Sequence, residues 1–361
     1  MHPAVLLATE VGGMMGDQNG PLPEILTPLA WCAARVYGAG ARYVDRRHRL
    51  RGATRVPVPV ISVGNLTVGG TGKTPFTKRL AESIIAAGGR PAIALRGYRA
   101  KSTGGSDEAR EYRDSLPDVP VLVGADRIGS IVTALEASPG SFDCVLLDDG
   151  FQHRRLHRDL DIALVDSSRP GLFGDLLPNG WLREPACALS RADCVVLTNH
   201  TGEVVSEPLD DLLRRIAPGT PDIRCHHAWS EVLVHGPAGV RSLAPGDAAL
   251  QNQNVLVVSG LGNPEALIRS VTSHGFTVTH HLRQRDHAAY TDADGRNFVE
   301  QASCSDAILT TPKDWVKLRD LGSMQSSTVP VLVPQVRIEF SSGDSELSGK
   351  LSEACGRPIA L

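Results

Sequence analysis

Gly64-Asn65-Leu66-Thr67-Val68-Gly69-Gly70-Thr71-Gly72-Lys73-Thr74 is a glycine-rich run that ends in a lysine and a hydroxyl residue. Those residue types at that spacing suit phosphate. Small residues expose successive backbone N–H groups, and a helix beginning at the end of the run adds positive potential. Gly69, Gly70, Thr71 and Gly72 would cradle the phosphates, Lys73 would reach the β and γ phosphates, and the Thr74 hydroxyl would ligate Mg²⁺. The usual form of this loop has glycine where Thr67 stands, so the loop is a variant. A second acidic feature, Asp148-Asp149-Gly150, ends the apolar run 142–147. Acids at the carboxyl end of a parallel strand beside a phosphate loop hold Mg²⁺ directly or through water, which makes Asp148 and Asp149 metal candidates.

Such a site needs strands that end together. Short apolar runs at 57–63, 91–95, 119–123, 143–148, 160–165 and 193–198 read as strands, and 73–87, 126–137 and 183–190 as helices. The runs are apolar throughout instead of alternating, which marks a sheet covered on both faces. Strand–helix alternation predicts an α/β fold with a doubly wound, mostly parallel sheet of the P-loop NTPase type. Residues 206–250 are more polar and turn-rich, and read as a linker or small subdomain. A second α/β pattern follows, with strands at 254–259, 276–280, 306–311 and 330–338, a helix near 264–273, and a final helix or tail over 340–361. The expected organisation is an N-terminal tail and helix over 1–55, a P-loop core over 56–205, the linker over 206–250, and a smaller α/β domain over 251–361. Gly260-Leu261-Gly262-Asn263-Pro264 reads as a turn that places a helix.

The length of 361 residues fits two domains, and a hydrophobic share of 42% with 21% charged residues excludes a disordered chain. A net charge of −3 gives no reason to expect nucleic acid as a partner. The seven cysteines are odd in number and never paired as C-x-x-C, so a reduced compartment and no structural zinc site are expected. His153 and His157 lie four apart with no third ligand near in sequence. Charge is concentrated in one segment: Arg35, Arg42, Arg46, Arg47, Arg49, Arg51 and Arg55 stand against Asp45 alone. Before and into that segment, Leu22, Ile25, Leu26, Leu29, Ala33, Val36 and Tyr37 recur at helical spacing, with Trp31 beside them. Glu24, Pro28 and Arg35 break the run, so it is too short to span a bilayer, and the first residues do not read as a signal peptide. Two readings stay open: an interfacial helix with Trp31, Arg42, Arg46 and Arg47 on anionic lipid, or a helix packed on the core with a solvated basic tail.

Nucleotide binding leaves two broad classes, a phosphotransferase or a membrane-associated ATPase or GTPase switch. A guanine-specific switch carries [NT]-K-x-D, and Thr311-Pro312-Lys313-Asp314 comes close with its lysine one place late. A kinase needs a base for the acceptor hydroxyl and cations that spread phosphoryl charge. Ser106-Asp107-Glu108, Arg285-Asp286-His287 and Arg183-Glu184 are candidates, each in a polar loop.

These motifs, taken together, resemble those of the tetraacyldisaccharide 4′-kinases, the lipid A 4′-kinases. The likeness rests on the variant phosphate loop running on into Pro75, on Asp148-Asp149-Gly150-Phe151-Gln152-His153-Arg154, and on Leu182-Arg183-Glu184-Pro185. Gly124-Ala125-Asp126-Arg127, Asp286-His287 and Thr310-Thr311-Pro312-Lys313-Asp314 follow in the family's order. In that family Thr67 is expected in the loop. Two positions depart from the family pattern, Ala109 for proline and Pro312 for glutamate. The resemblance implies MgATP-dependent phosphorylation of the 4′-hydroxyl of a tetraacylated glucosamine disaccharide 1-phosphate, a lipid A precursor, to give lipid IVA. It implies Asp107 as base, His287 as its partner, Glu108 and Asp149 as magnesium-side acids supported by Asp148, and Arg183 as the residue offsetting phosphoryl charge. It further implies a peripheral enzyme, expected as a monomer, on the cytoplasmic face of the inner membrane.

Overall fold

A computed structural model of the chain describes residues 27–97, 107–168, 171–199, 207–261, 264–284 and 289–361, without the side chains of Thr27, Asp45, His48, Arg49, Arg51 and Asp107. The chain forms two compact units. The first takes Met1–Arg96, Val119–His226 and Glu339–Leu361, and the second takes Gly97–Asp118 and His227–Ile338. Both units are therefore discontinuous, unlike the consecutive segments expected from the sequence. Residues 107–118 belong with the second unit, and residues 339–361 with the first. The linker expected over 206–250 contains a helix, Glu207–Ile216, then the long strand β7 (Asp222–Gly236) and its hairpin partner β8 (Gly239–Leu243).

In the first unit the strands are β1 (Val60–Asn65), β2 (Pro91–Leu95), β3 (Val121–Val123), β4 (Cys144–Asp148), β5 (Leu160–Asp166) and β6 (Cys194–Thr198). They run in the order β7-β6-β5-β1-β4-β2-β3, every pair parallel. All residues of β1, β2, β4, β5 and β6 are buried. That continuous burial follows from mostly apolar runs, with Ser62 and Asn65 in β1 and Asp161 in β5 buried among them, and leaves the chemistry to the loops at the strand ends. The order changes direction at β1, which lies between β4 and β5, so the phosphate loop leaves the sheet where a crevice is expected. The helix Lys73–Ala86 follows the loop and buries Phe76, Leu80, Ala81 and Ile84. The helix expected over 183–190 is a short 3₁₀ turn, Ala186–Arg191, because Pro185 opens it and only Leu189 is buried along it.

In the second unit β9 (Asn254–Ser259), β10 (Thr277–Arg283), β11 (Ala307–Thr310) and β12 (Val331–Ser342) add to β7 in the order β10-β9-β11-β12-β7. Alternate residues of β9 enter different clusters: Val255 and Val257 join Trp229, Val271 and Phe276, while Leu256 and Val258 join Phe298, Leu318 and Val333. This unit also holds the helix Asp107–Ser115, tied by Arg110 to Asp320 at 2.5 Å and by Asp114 to Arg319 at 2.9 Å.

The N-terminal helix is Thr27–Arg51. It buries Ala30, Ala34 and Gly38, a stripe of small residues four apart. Leu29, Val36 and Tyr37 are exposed, as are Tyr43, Val44 and Leu50, while Leu22, Ile25 and Leu26 lie outside the described residues. Small side chains let a helix backbone approach closely, so the packed face is the one with least apolar area, and the larger side chains face outward. Among the described residues no helix is long and apolar enough to cross a membrane.

Candidate active site

Strand β1 carries the phosphate loop off its carboxyl end, and parallel β4 ends beside it with Val63 opposite Asp148. The two turns touch at Gly64. A Cβ there would lie 2.5 Å from both the Cβ and the backbone nitrogen of Phe151, so only glycine permits the approach. Positive φ falls on Gly69 and Gly72, the latter at 81° as the cap of the loop helix. Thr67 instead forms an antiparallel bridge with Leu182, and the Val68 N–H donates to the Trp181 carbonyl at 2.8 Å. An extended residue with a side chain fits that position, which is why the variant loop tolerates threonine. The buried Thr198 hydroxyl at the end of β6 donates to the Thr71 carbonyl at 3.0 Å and fixes the top of the loop.

Four of the predicted residues converge in this unit. Lys73 Nζ donates to Asn65 Oδ1 at 3.1 Å and lies 3.5 Å from Asp149 Oδ1. One guanidinium nitrogen of Arg183 reaches both Asp149 oxygens at 2.9 and 2.8 Å, and Gln152 Oε1 at 3.3 Å. Gln152 closes the ring by donating from Nε2 to the Asn65 carbonyl at 2.8 Å. Asp148 is buried and accepts the Asp149 N–H at 2.9 Å, which turns Asp149 outward with a positive φ of 49°. Burial would raise the Asp149 pKa, but Lys73 and Arg183 outweigh it and hold the carboxyl below its ordinary value. Two cations thus share one carboxylate at the mouth of a phosphate loop. An arriving phosphate would find both already placed, and electrostatic preorganisation of this kind requires little rearrangement during reaction.

The turn that presents Arg183 has its own support. Arg183 N–H donates to the Leu66 carbonyl at 2.7 Å. Arg191 pairs with both Glu184 oxygens at 2.8 and 2.9 Å, donates to the Phe151 carbonyl at 2.8 Å, and lies 3.7 Å over the Phe151 ring. Asn65, Gln152, Thr198 and Arg191 were not singled out by their spacing, and Glu184 was named beside Arg183 without this supporting part. Asn65, Gln152 and Glu184 do sit inside the recognised motifs, whereas Thr198 and Arg191 carry no sequence signal.

Thr74, Asp148 and Asp149 offer hard oxygen donors, a set that suits Mg²⁺. Such an ion keeps several waters and takes its remaining ligands from substrate phosphates, so few protein ligands are needed. Among the described residues no three acids, histidines or cysteines gather as a metal cage. Burial, with Arg127, Arg158 and Arg155 nearby, lowers the His153 pKa to about 4 and keeps the imidazole neutral.

Asp107 and Glu108 open the helix Asp107–Ser115 in the second unit, and the departure Ala109 is fully buried in its first turn. The Asp107 side chain and the whole of His287 lie outside the described residues. In the same unit Asp314 is buried and accepts from the Gly260 N–H at 2.9 Å, the Tyr290 hydroxyl at 2.8 Å and the Thr311 hydroxyl at 2.8 Å. Pro312, the other departure, begins the helix Pro312–Leu318, where a missing N–H costs nothing.

The family model described as Tetraacyldisaccharide-1-P 4′-kinase matches residues 22–355. A curated tetraacyldisaccharide 4′-kinase of Syntrophotalea carbinolica is 36% identical over 347 residues, covering 91% of this chain and 90% of the relative. Another from Geobacter sulfurreducens is 33% identical over 322 residues, covering 84% and 87%. Among solved structures, LpxK from Aquifex aeolicus in complex with ATP superimposes with a TM-score of 0.70 at 28% identity, covering 91% of this chain and 98% of that one.

Proposed function

The chain belongs to the tetraacyldisaccharide-1-P 4′-kinase family and is an ATP-dependent lipid A 4′-kinase, and from that premise we propose how its residues divide the reaction. The observation that carries the proposal is the convergence of Lys73 and Arg183 on Asp149 beside the phosphate loop. The loop N–H groups of 69–74 and Lys73 hold the β and γ phosphates of ATP. Arg183 offsets charge on the γ-phosphoryl group as it leaves ADP. Mg²⁺, when bound, would supply further neutralising charge; Thr74, Asp148 and Asp149 are the residues that would hold it, with Glu108 the further acid that the family resemblance implies.

Asp107 is the base, and His287 is its partner. The bond from the sugar 4′-oxygen to phosphorus forms while the bridge oxygen of ADP departs, and the hydroxyl proton passes to the Asp107 carboxylate. Phosphoryl transfer asks mainly for positioning and charge neutralisation, so these few groups suffice in kind. The substrate is a tetraacyl disaccharide that already bears a 1-phosphate.

The lipid substrate gives the N-terminal helix a task. Its exposed Leu29, Val36, Tyr43 and Leu50 and the exposed Trp31, Arg42, Arg46 and Arg47 suit the surface of an anionic membrane. The enzyme acts as a peripheral monomer on the cytoplasmic face of the inner membrane. A guanine-specific switch gains no support, because the carboxylate that would read the base, Asp314, is buried and its oxygens accept from neighbours.

Asp107→Ala tests the division of labour. Loss of a general base should lower kcat by about 10²–10⁴ and leave ATP affinity near that of the parent. Weakened ATP binding with kcat retained would move Asp107 to the metal side and leave the base unassigned.

A further inference from the structure

A polar contact joins the N-terminal helix to the phosphate site. Tyr37 Oη donates to the backbone carbonyl of Arg183 at 3.1 Å. The other side of the same residue is held by the loop, since the Arg183 N–H donates to the Leu66 carbonyl at 2.7 Å. The turn before it is fixed as well: Thr67 bridges Leu182, and Leu176 bridges Leu182. One helix residue further on, a Cβ at Gly38 would lie 2.8 Å from Leu176 Cδ1, so the helix lies close against this turn. Two successive residues of the helix therefore rest on the segment that presents Arg183. Tyr37 is 41% exposed, but partial burial, then the neighbouring Glu184 carboxylate, still raises its pKa, so its hydroxyl remains a donor at neutral pH.

A hydroxyl bonded to a backbone carbonyl brings no charge to the reacting atoms. What it contributes is orientation, and small misplacements of a catalytic group are costly. Arg183 uses its side chain on Asp149 and its N–H on the loop, which leaves its carbonyl as the point where the helix takes hold.

We infer that Tyr37 is a positioning residue for Arg183, joining the helix that faces lipid to the arginine that faces the phosphoryl group. The inference rests on the reading of Arg183 as the residue that offsets phosphoryl charge. It gives the helix a part in turnover beyond holding the enzyme at a surface.

Tyr37→Phe tests it, because the ring and its packing stay and only the hydroxyl goes. The enzyme is assayed at saturating ATP with the lipid acceptor in detergent micelles, alongside cosedimentation with anionic phospholipid vesicles and thermal unfolding. The expected result is a kcat lowered about 3- to 10-fold, the range for one neutral hydrogen bond. KM for the lipid, vesicle binding and Tm stay at the parent values. In an Arg183→Ala background, Tyr37→Phe should have no further effect on kcat. Unchanged kcat in Tyr37→Phe, a loss seen only in lipid KM, or the same fold loss with and without Arg183 would each overturn the inference. Full activity in Arg183→Ala alone would instead sink the reading of Arg183 on which it stands.

Discussion

Replacing Arg191 by alanine should destabilise the first unit more than any ordinary surface change. The Arg191 and Glu184 side chains are only 17% and 16% exposed and pair at 2.8 Å. Truncating one partner of a buried pair strands the other charge, a loss of about 3–5 kcal/mol. Partial exposure puts the expected cost near the lower end, about 3 kcal/mol. Loss of the guanidinium from the Phe151 face adds about 1 kcal/mol. For a unit of this size Tm falls about 2–4 °C per kcal/mol, so the total drop should be about 8–16 °C, read by calorimetry or near-ultraviolet circular dichroism. Adding Glu184→Gln removes the stranded carboxylate and should restore about half of the loss. The double-mutant cycle should then show coupling of at least about 1 kcal/mol. A drop under 2 °C, or additive effects of the two substitutions, would refute the claim that this pair holds the Arg183 turn.

Gly64→Ala should cost about 2–3 kcal/mol by overpacking against Phe151 and lower kcat by displacing the turn that carries Asp149; a variant with parental Tm and kcat would contradict that close approach. Replacing Arg42, Arg46 and Arg47 by serine should weaken cosedimentation with anionic vesicles by roughly 100-fold at low salt, at about 1 kcal/mol per arginine, and leave binding to neutral vesicles as it was. Val36→Asp should reduce vesicle binding with little change in Tm, since Val36 is 74% exposed; a large Tm loss would mean that this face packs on the protein. Asp149 has a depressed folded pKa, so its ion pairs contribute stability that is full above about pH 4 and lost as pH falls through the lower folded value. Acid unfolding of Asp149→Asn should lack that part of the transition.

Much of this architecture was legible because parallel strands buried on both faces are largely apolar instead of alternating, as in β1, β4 and β5. The phosphate loop and the Asp148-Asp149 turn were readable for the same reason, since each follows directly on such a strand. The unit boundaries were not. Residues 97–118 and 339–361 belong to units other than their sequence neighbours', and nothing in local periodicity reports a partner far along the chain. What covers the N-terminal helix was not legible for a different reason. Its apolar side chains recur at helical spacing, which marks a face without saying what covers it, while the packed stripe Ala30, Ala34 and Gly38 is too small to register as apolar. Lys73, Asp149 and Arg183 were each identifiable, but their meeting depends on Gly64 letting two loops touch. The contacts of Arg191 with Phe151 and of Thr198 with Thr71 span 40 residues and more, which local spacing does not report.

The central claim is that Lys73 and its loop deliver the γ-phosphoryl group of ATP to a lipid disaccharide. The most direct measurement is transfer of label from γ-labelled ATP to purified tetraacyldisaccharide 1-phosphate in detergent micelles with Mg²⁺, with folded Lys73→Ala in parallel. Label appearing in the lipid at the 4′ position, and absent with Lys73→Ala, is the predicted result. Label released only as inorganic phosphate, or transfer undiminished in Lys73→Ala, would contradict the account.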